Sequence, residues 1–248
     1  MSLCSFKKKE SELKKMVAER IRQEFTGWKV WEWAWMIFSC AVIAGVSLYL
    51  KDNWLGILSA VTGTLYALFA GKGKISCYFF GIINSALYGW ISYTQTLYGE
   101  VMLNWGYYFP MMFVGLFFWR KHLDENKEIY KEKLGLRGRI LLVVLSLLAV
   151  IIYERVLHHM GDQQSLLDST TTILSVSAMV MTVKRCIEQW ILWIIVNFIS
   201  IYMWYQVYQA GGPGASLLMW IVALCNSFIF LYQWTKEVKP CPAKTIQQ

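Results

Sequence analysis

WLGILSAVTGTLYALFAGKGKISCYFFGIINSALYGWISYT, residues 54–94, holds two apolar runs joined by the short basic turn Lys72-Gly73-Lys74. Each run is close to the ~20 residues that a helix rising 1.5 Å per residue needs to cross about 30 Å of hydrocarbon. Such a pair reads as a transmembrane hairpin with its turn in the cytoplasm, where the membrane potential and anionic lipids hold Lys and Arg. The pattern extends in both directions. Apolar stretches fall at about 31–50, 54–71, 75–94, 100–119, 139–157, 166–183, 188–208 and 214–234, which predicts an all-α membrane protein of eight transmembrane helices. The connecting segments alternate in charge. Of the 24 Lys and Arg, all but Lys51 and Arg155 lie before residue 31, at Lys72 and Lys74, within 120–139, at Lys184 and Arg185, or after residue 235. That split places both termini in the cytoplasm of a multi-pass inner-membrane protein. It also explains the basic charge without nucleic acid as a partner.

A composition that is 56% hydrophobic and 16% charged leaves too little polar surface for a soluble chain of this length. The expected organisation is a cytoplasmic amphipathic segment over 1–30, an extra N-terminal span over 31–50, a core over 51–236 and a tail over 237–248. No cleavable signal peptide is expected. Over 6–25, Leu13, Val17, Ile21 and Phe25 repeat every four residues with Met16 beside them. Such a helix either lies on the inner leaflet or is a solvated tail. The cysteines at 4, 40, 77, 186, 225 and 241 have no metal-ligand or CxxC spacing and read as small core residues. No cofactor is expected. Trp28, Trp31, Trp33, Trp35, Trp54, Trp119, Trp220 and Trp234 sit near span ends, as interfacial anchors do.

An internal repeat relates 54–119 to 166–234. At a shift of 113 residues Asn84 falls on Asn197; at 114 Trp90 falls on Trp204; at 115 Trp105 falls on Trp220 and Trp119 on Trp234. The single span 139–157 lies between the copies and restores sidedness. The prediction is therefore one helix plus a 3+1+3 parallel repeat, related by an axis along the membrane normal.

Asp52, Glu100, Asp168 and Glu188 fall at or near span ends, and His158 and His159 in an outer loop. With no ionisable group at mid-span, proton coupling has no support and a facilitator is the simpler reading. Nor is there a nucleophile–base or metal constellation at depth, so the chain is not expected to be an enzyme. Neutral polar groups are present at depth: Asn84, Tyr88, Asn197 and Asn226. Each must pair with another helix, water or a ligand. Asn84 and Asn197 match in the two copies. In the seventh span, Gln189-Trp190-x-x-Trp193-x-x-x-Asn197 puts two tryptophans and an amide on one helical face, continued by Ser200 and Trp204. Taken alone, Trp190 is read as an interfacial anchor. Pro110 interrupts the fourth span and is either a static kink or a gating hinge.

The W-x-x-W-x-x-x-N stretch, the one plus 3+1+3 spans and the segment Asn84-Ser85-Ala86-Leu87-Tyr88-Gly89-Trp90 resemble the PnuC family of vitamin transporters over about residues 50–236. The resemblance implies a SWEET-like fold, a homotrimer and nicotinamide riboside as substrate. It also implies uptake by facilitated diffusion with trapping by a cytoplasmic nicotinamide riboside kinase. Trp190, Trp193 and Asn197 match the family's binding positions; Gln189, Asn84, Tyr88 and Asn226 join them from depth and face. The chemistry agrees, since tryptophan faces attract a pyridinium cation by up to ~2 kcal/mol when desolvated. Asn and Gln both donate and accept, which suits a carboxamide and ribose hydroxyls. A phosphate would meet no cation at depth. Thiamine or riboflavin transport and a SWEET-like sugar carrier are the alternatives.

Overall fold

The computed structural model describes residues 19, 22–94, 98–123, 129–159, 165–211 and 214–238. The expected amphipathic residues Leu13, Met16, Val17 and Ile21 lie outside them. Phe25 is described and stacks on Trp33, with Phe69 at its edge.

The described residues form helices α1 (Val30–Tyr49), α2 (Trp54–Lys72), α3 (Cys77–Thr94), α4 (Tyr98–Val101), α5 (Phe109–Arg120), α6 (Leu136–His159), α7 (Ser165–Val183), α8 (Glu188–Gln209) and α9 (Gly214–Glu237). A π-helical segment, Met102–Tyr108, joins α4 to α5 without a break in right-handed geometry. By length and composition, α1, α2, α6, α7 and α9 are long and apolar enough to cross a membrane. The molecule is thus an all-α, multi-pass membrane protein. Helices α3 and α8 are as long, but they carry the Asn, Ser, Tyr and Trp residues that lower mean hydropathy.

Local chemistry sets the helix ends. Asn53 caps α2 by accepting from Leu55 N at 3.2 Å. Gly73, at φ +72°, ends α2 in the left-handed conformation that a residue without Cβ adopts freely. Arg185 takes the matching place after α7 at φ +62°. A non-glycine residue there costs about 1–3 kcal/mol and needs outside support. Its guanidinium pairs with Glu132 and donates to the Tyr130 carbonyl at 3.1 Å. Segment 129–135 thereby crosses one end of the bundle. Ile129 N donates to Gly73 O at 3.2 Å, Glu132 N to Arg185 O at 2.9 Å and Ile187 N to Glu132 O at 2.9 Å. Lys72–Glu32 at 3.1 Å, Arg139–Glu188 at 2.8 Å and Lys131–Glu237 add ion pairs at that end.

Just inside this end lies the main core, drawn from α2, α3, α5, α7, α8 and α9. Small residues let large rings approach: a Cβ on Gly71 would meet the Phe230 ring at 2.3 Å, and one on Gly115 the Tyr78 ring at 2.2 Å. α1 packs on α2 and α9, and α6 packs mainly on α7, with Arg139 reaching Glu188 of α8. Two expected anchors, Trp119 and Trp234, are core residues at 0% exposure. Their indoles donate to helix-terminal carbonyls, Trp119 to Thr182 at 3.1 Å and Trp234 to Gly71 at 2.6 Å. Trp54 and Trp31 are exposed, as anchors must be. Cys77 and Cys186 are core residues as expected, whereas Cys225 points outward.

Replacing Trp119 or Trp234 by Phe removes one buried hydrogen bond, at about 0.5–1.5 kcal/mol each. The thermal midpoint in detergent should fall for both variants and hold for Trp54→Phe. Unchanged midpoints for Trp119→Phe and Trp234→Phe would show that these bonds carry no stability.

Candidate functional site

The face of α8 that bears Gln189, Trp190, Trp193, Asn197, Ser200 and Trp204 turns inward, because in hydrocarbon its polar groups have no other place. Together with α2, α3, α4, the π segment, α7 and α9 it encloses a cavity of about 160 Å³. Of the seven residues expected to bind substrate, Trp190, Trp193, Asn197, Gln189, Asn84 and Tyr88 line this cavity. Asn226 does not. It is buried between α9 and α1, where its Oδ1 accepts from Trp35 Nε1 at 2.7 Å. Its depth was legible; the helix it faces was not.

Trp190 is not an interfacial anchor. It is 3% exposed, tilted against Phe230 at 5.4 Å and edge-on at 5.6 Å to Trp234, and it lines the cavity. Trp193, one turn deeper, is half-buried. The two asparagines are seated alike. Asn84 Nδ2 donates to Ser59 O at 2.8 Å on α2. Asn197 Nδ2 donates to Ser227 Oγ at 2.9 Å on α9, and the Ser227 hydroxyl donates in turn to Ala223 O at 2.9 Å. With its nitrogen held by a neighbouring helix, each amide still has a carbonyl oxygen able to accept. Gln189 donates back to Cys186 O at 3.2 Å.

Other polar atoms on the wall are buried without a hydrogen-bond partner among the described residues: Trp190 Nε1, Thr64 Oγ1, Trp220 Nε1 and the Tyr88 hydroxyl. Tyr88 sits against the Trp220 and Trp204 indoles, its ring edge-on to Trp204 at 6.2 Å, without a bond of hydrogen-bond geometry. Native interiors leave few such groups unpaired, and these four share one wall, whereas Ser47 Oγ, the Tyr78 hydroxyl and Asn226 Nδ2 are unpaired away from it.

The wall also holds residues that the sequence reading left out. Glu100, Asn104 and Tyr108 recur every four residues along α4 and the π segment, and Thr171, Ser175 and Met179 do so along α7. Their four-residue stripes were visible in the sequence. Glu100 corrects the expectation of a pathway without a carboxylate: it begins its helix near a span end, yet lines the cavity. Among the described lining residues there is no lysine, arginine or histidine. Pro110 lies off the cavity and exposed, directly after the π segment. The wider turn there, with Phe109 N donating to Asn104 O, accommodates the donor that proline lacks.

Comparison with known proteins agrees with this architecture. Residues 53–236 match the family described as nicotinamide mononucleotide transporter. A nicotinamide riboside transporter PnuC from Neisseria mucosa is 39% identical over 240 residues, covering 94% of this chain and 91% of the relative. The one from Haemophilus influenzae is 34% identical over 229 residues, covering 90% and 98%. The crystal structure of the vitamin B3 transporter PnuC superposes with a TM-score of 0.80 at 39% identity, covering 88% of this chain and 96% of that one. On these matches, together with the all-helical membrane fold, the chain belongs to the PnuC family of transporters.

Proposed function

We propose that this protein takes up nicotinamide riboside by facilitated diffusion, and that a cytoplasmic nicotinamide riboside kinase then traps the product. One observation carries the reading. The cavity is lined by Trp190 and Trp193, two anchored amides and unpaired buried polar atoms, with no cationic side chain among its described lining residues. Aromatic faces suit a pyridinium ring and the amides suit a carboxamide and hydroxyls. A 5′-phosphate would be desolvated there with nothing to pair it. The relatives are named for the riboside and the family for the mononucleotide; the chemistry of this wall favours the riboside.

The finer architecture belongs to the same proposal. Helices α1, α2, α3, α6, α7, α8 and α9, together with the rod from α4 to α5, are eight spans in an inner membrane, with both termini cytoplasmic. After α1 they form a 3+1+3 parallel repeat. Matching bonds support it: Trp119 and Trp234, paired by the repeat, each donate to the end of the other copy's first helix. Arg185 and Gly73 end those two helices in the same left-handed conformation. The assembly is a homotrimer, as the family resemblance implies, and Pro110 beside the π segment is its gating hinge.

In liposomes of purified protein with no ion gradient, nicotinamide riboside should equilibrate across the membrane while the mononucleotide stays outside. Comparable entry of the mononucleotide, or uptake that needs a proton gradient, would overturn the mechanism. Calorimetric affinity for the riboside should fall roughly ten-fold in Trp193→Ala, the value of a desolvated cation–π contact, and by a similar amount in Asn197→Leu. Asn226→Leu, outside the cavity, should bind normally; the reverse ranking would move the site. Pro110→Ala should alter transport rate and leave affinity unchanged, and an unaltered rate would remove the hinge.

A further inference from the structure

Glu100 has a built seat on the cavity wall that the proposed function does not yet use. Asn104, 4% exposed, donates through Nδ2 both to the Glu100 backbone carbonyl at 2.9 Å and to its Oε2 at 3.3 Å. One buried amide thus fixes the side chain's direction. Glu100 is the one carboxylate among the described lining residues, and none of those residues is basic. A carboxylate held at the wall of a site of low dielectric repels anions and attracts cations beyond contact distance.

We infer that Glu100 is a specificity residue of the cavity: its carboxylate selects a ligand whose aromatic ring carries a fixed positive charge over the neutral isostere. This rests on the proposed reading of the cavity as the substrate site. Tryptophan faces attract a cation over a few ångströms and also stack on neutral rings, so they discriminate charge weakly. A carboxylate held by Asn104 discriminates by charge alone. The same group disfavours any ligand that brings a phosphate or carboxylate to this wall.

The test is calorimetric titration of the full-length protein in detergent with nicotinamide riboside and with its 1,4-dihydro form, whose ring is neutral. Wild type should prefer the charged riboside. Glu100→Gln should lose roughly ten-fold in affinity for the charged form, the scale of one charge pair at several ångströms, with the neutral form little changed. Glu100→Asp should retain the preference. Equal weakening of both ligands in Glu100→Gln, or no change in either, overturns the assignment. The wild-type comparison needs no variant to fold: equal affinity for the two ribosides overturns it alone. Wild type that binds neither defeats the functional reading itself, a different outcome from binding without discrimination.

Discussion

In hydrocarbon an amide or indole N–H cannot turn to solvent, so each one at depth has to find a neighbouring helix or face an enclosed space. The rest of this structure follows from that constraint. Asn84 reaches Ser59 on α2, Asn197 reaches Ser227 on α9, and Trp35 reaches Asn226 across α1 and α9. These bonds set which helices are neighbours and how each is rotated about its axis. Once α3 and α8 are rotated to satisfy their asparagines, Tyr88, Trp190 and Trp193 are carried to the same interior, and the cavity forms between them. Binding surface and packing are two uses of one polar stripe.

The two ends of the bundle differ in what holds them. At the end bearing Lys72, Lys74, Lys184 and Arg185, the helix termini are tied by ion pairs, by the crossing segment 129–135, and by the Trp119 and Trp234 indoles. The Trp bonds add to this, because each sets a fully buried indole N–H against a helix-terminal carbonyl. Opposite, the first turn of α9 is held by Asp52, which accepts from Ala215 N at 2.8 Å. The bundle is thus tied most densely at one end, where Trp119 joins its helix to α7 and Trp234 joins its own to α2.

Much of this was legible in the sequence because it is local. Apolar length and basic turns located the helices, whose ends fall within three residues of the expected bounds. The three- and four-residue spacing of Trp190, Trp193 and Asn197 marked the inward face of α8. What depended on distant partners was not legible. Trp119 and Trp234 look like interfacial anchors until the carbonyls 63 and 163 residues away are known. Asn226 has the right depth for a ligand group, but its face is decided by α1, whose docking leaves no local trace. Glu100 was placed by its position near a span end. The π segment after it, and the Asn104 amide that holds it, bring that turn onto the cavity.

If transport is uncoupled, as proposed, the charge pattern of the cavity bears on how the carrier avoids becoming a trap for its own substrate. A carrier without an energy source has to bind well enough to capture ligand and weakly enough to release it. Spreading recognition over aromatic faces and neutral amides meets this, since each such contact contributes only about 1–2 kcal/mol and can be given up singly. A fully paired buried ion pair would be far harder to dissolve on each cycle. Glu100 lies between these limits: half-buried and on the wall, its carboxylate bonded to a neutral amide, it biases which ligand enters. On the proposed reading, affinity rests mainly on the tryptophans and asparagines and charge selection mainly on Glu100, so the two properties are separable by mutation at different helices.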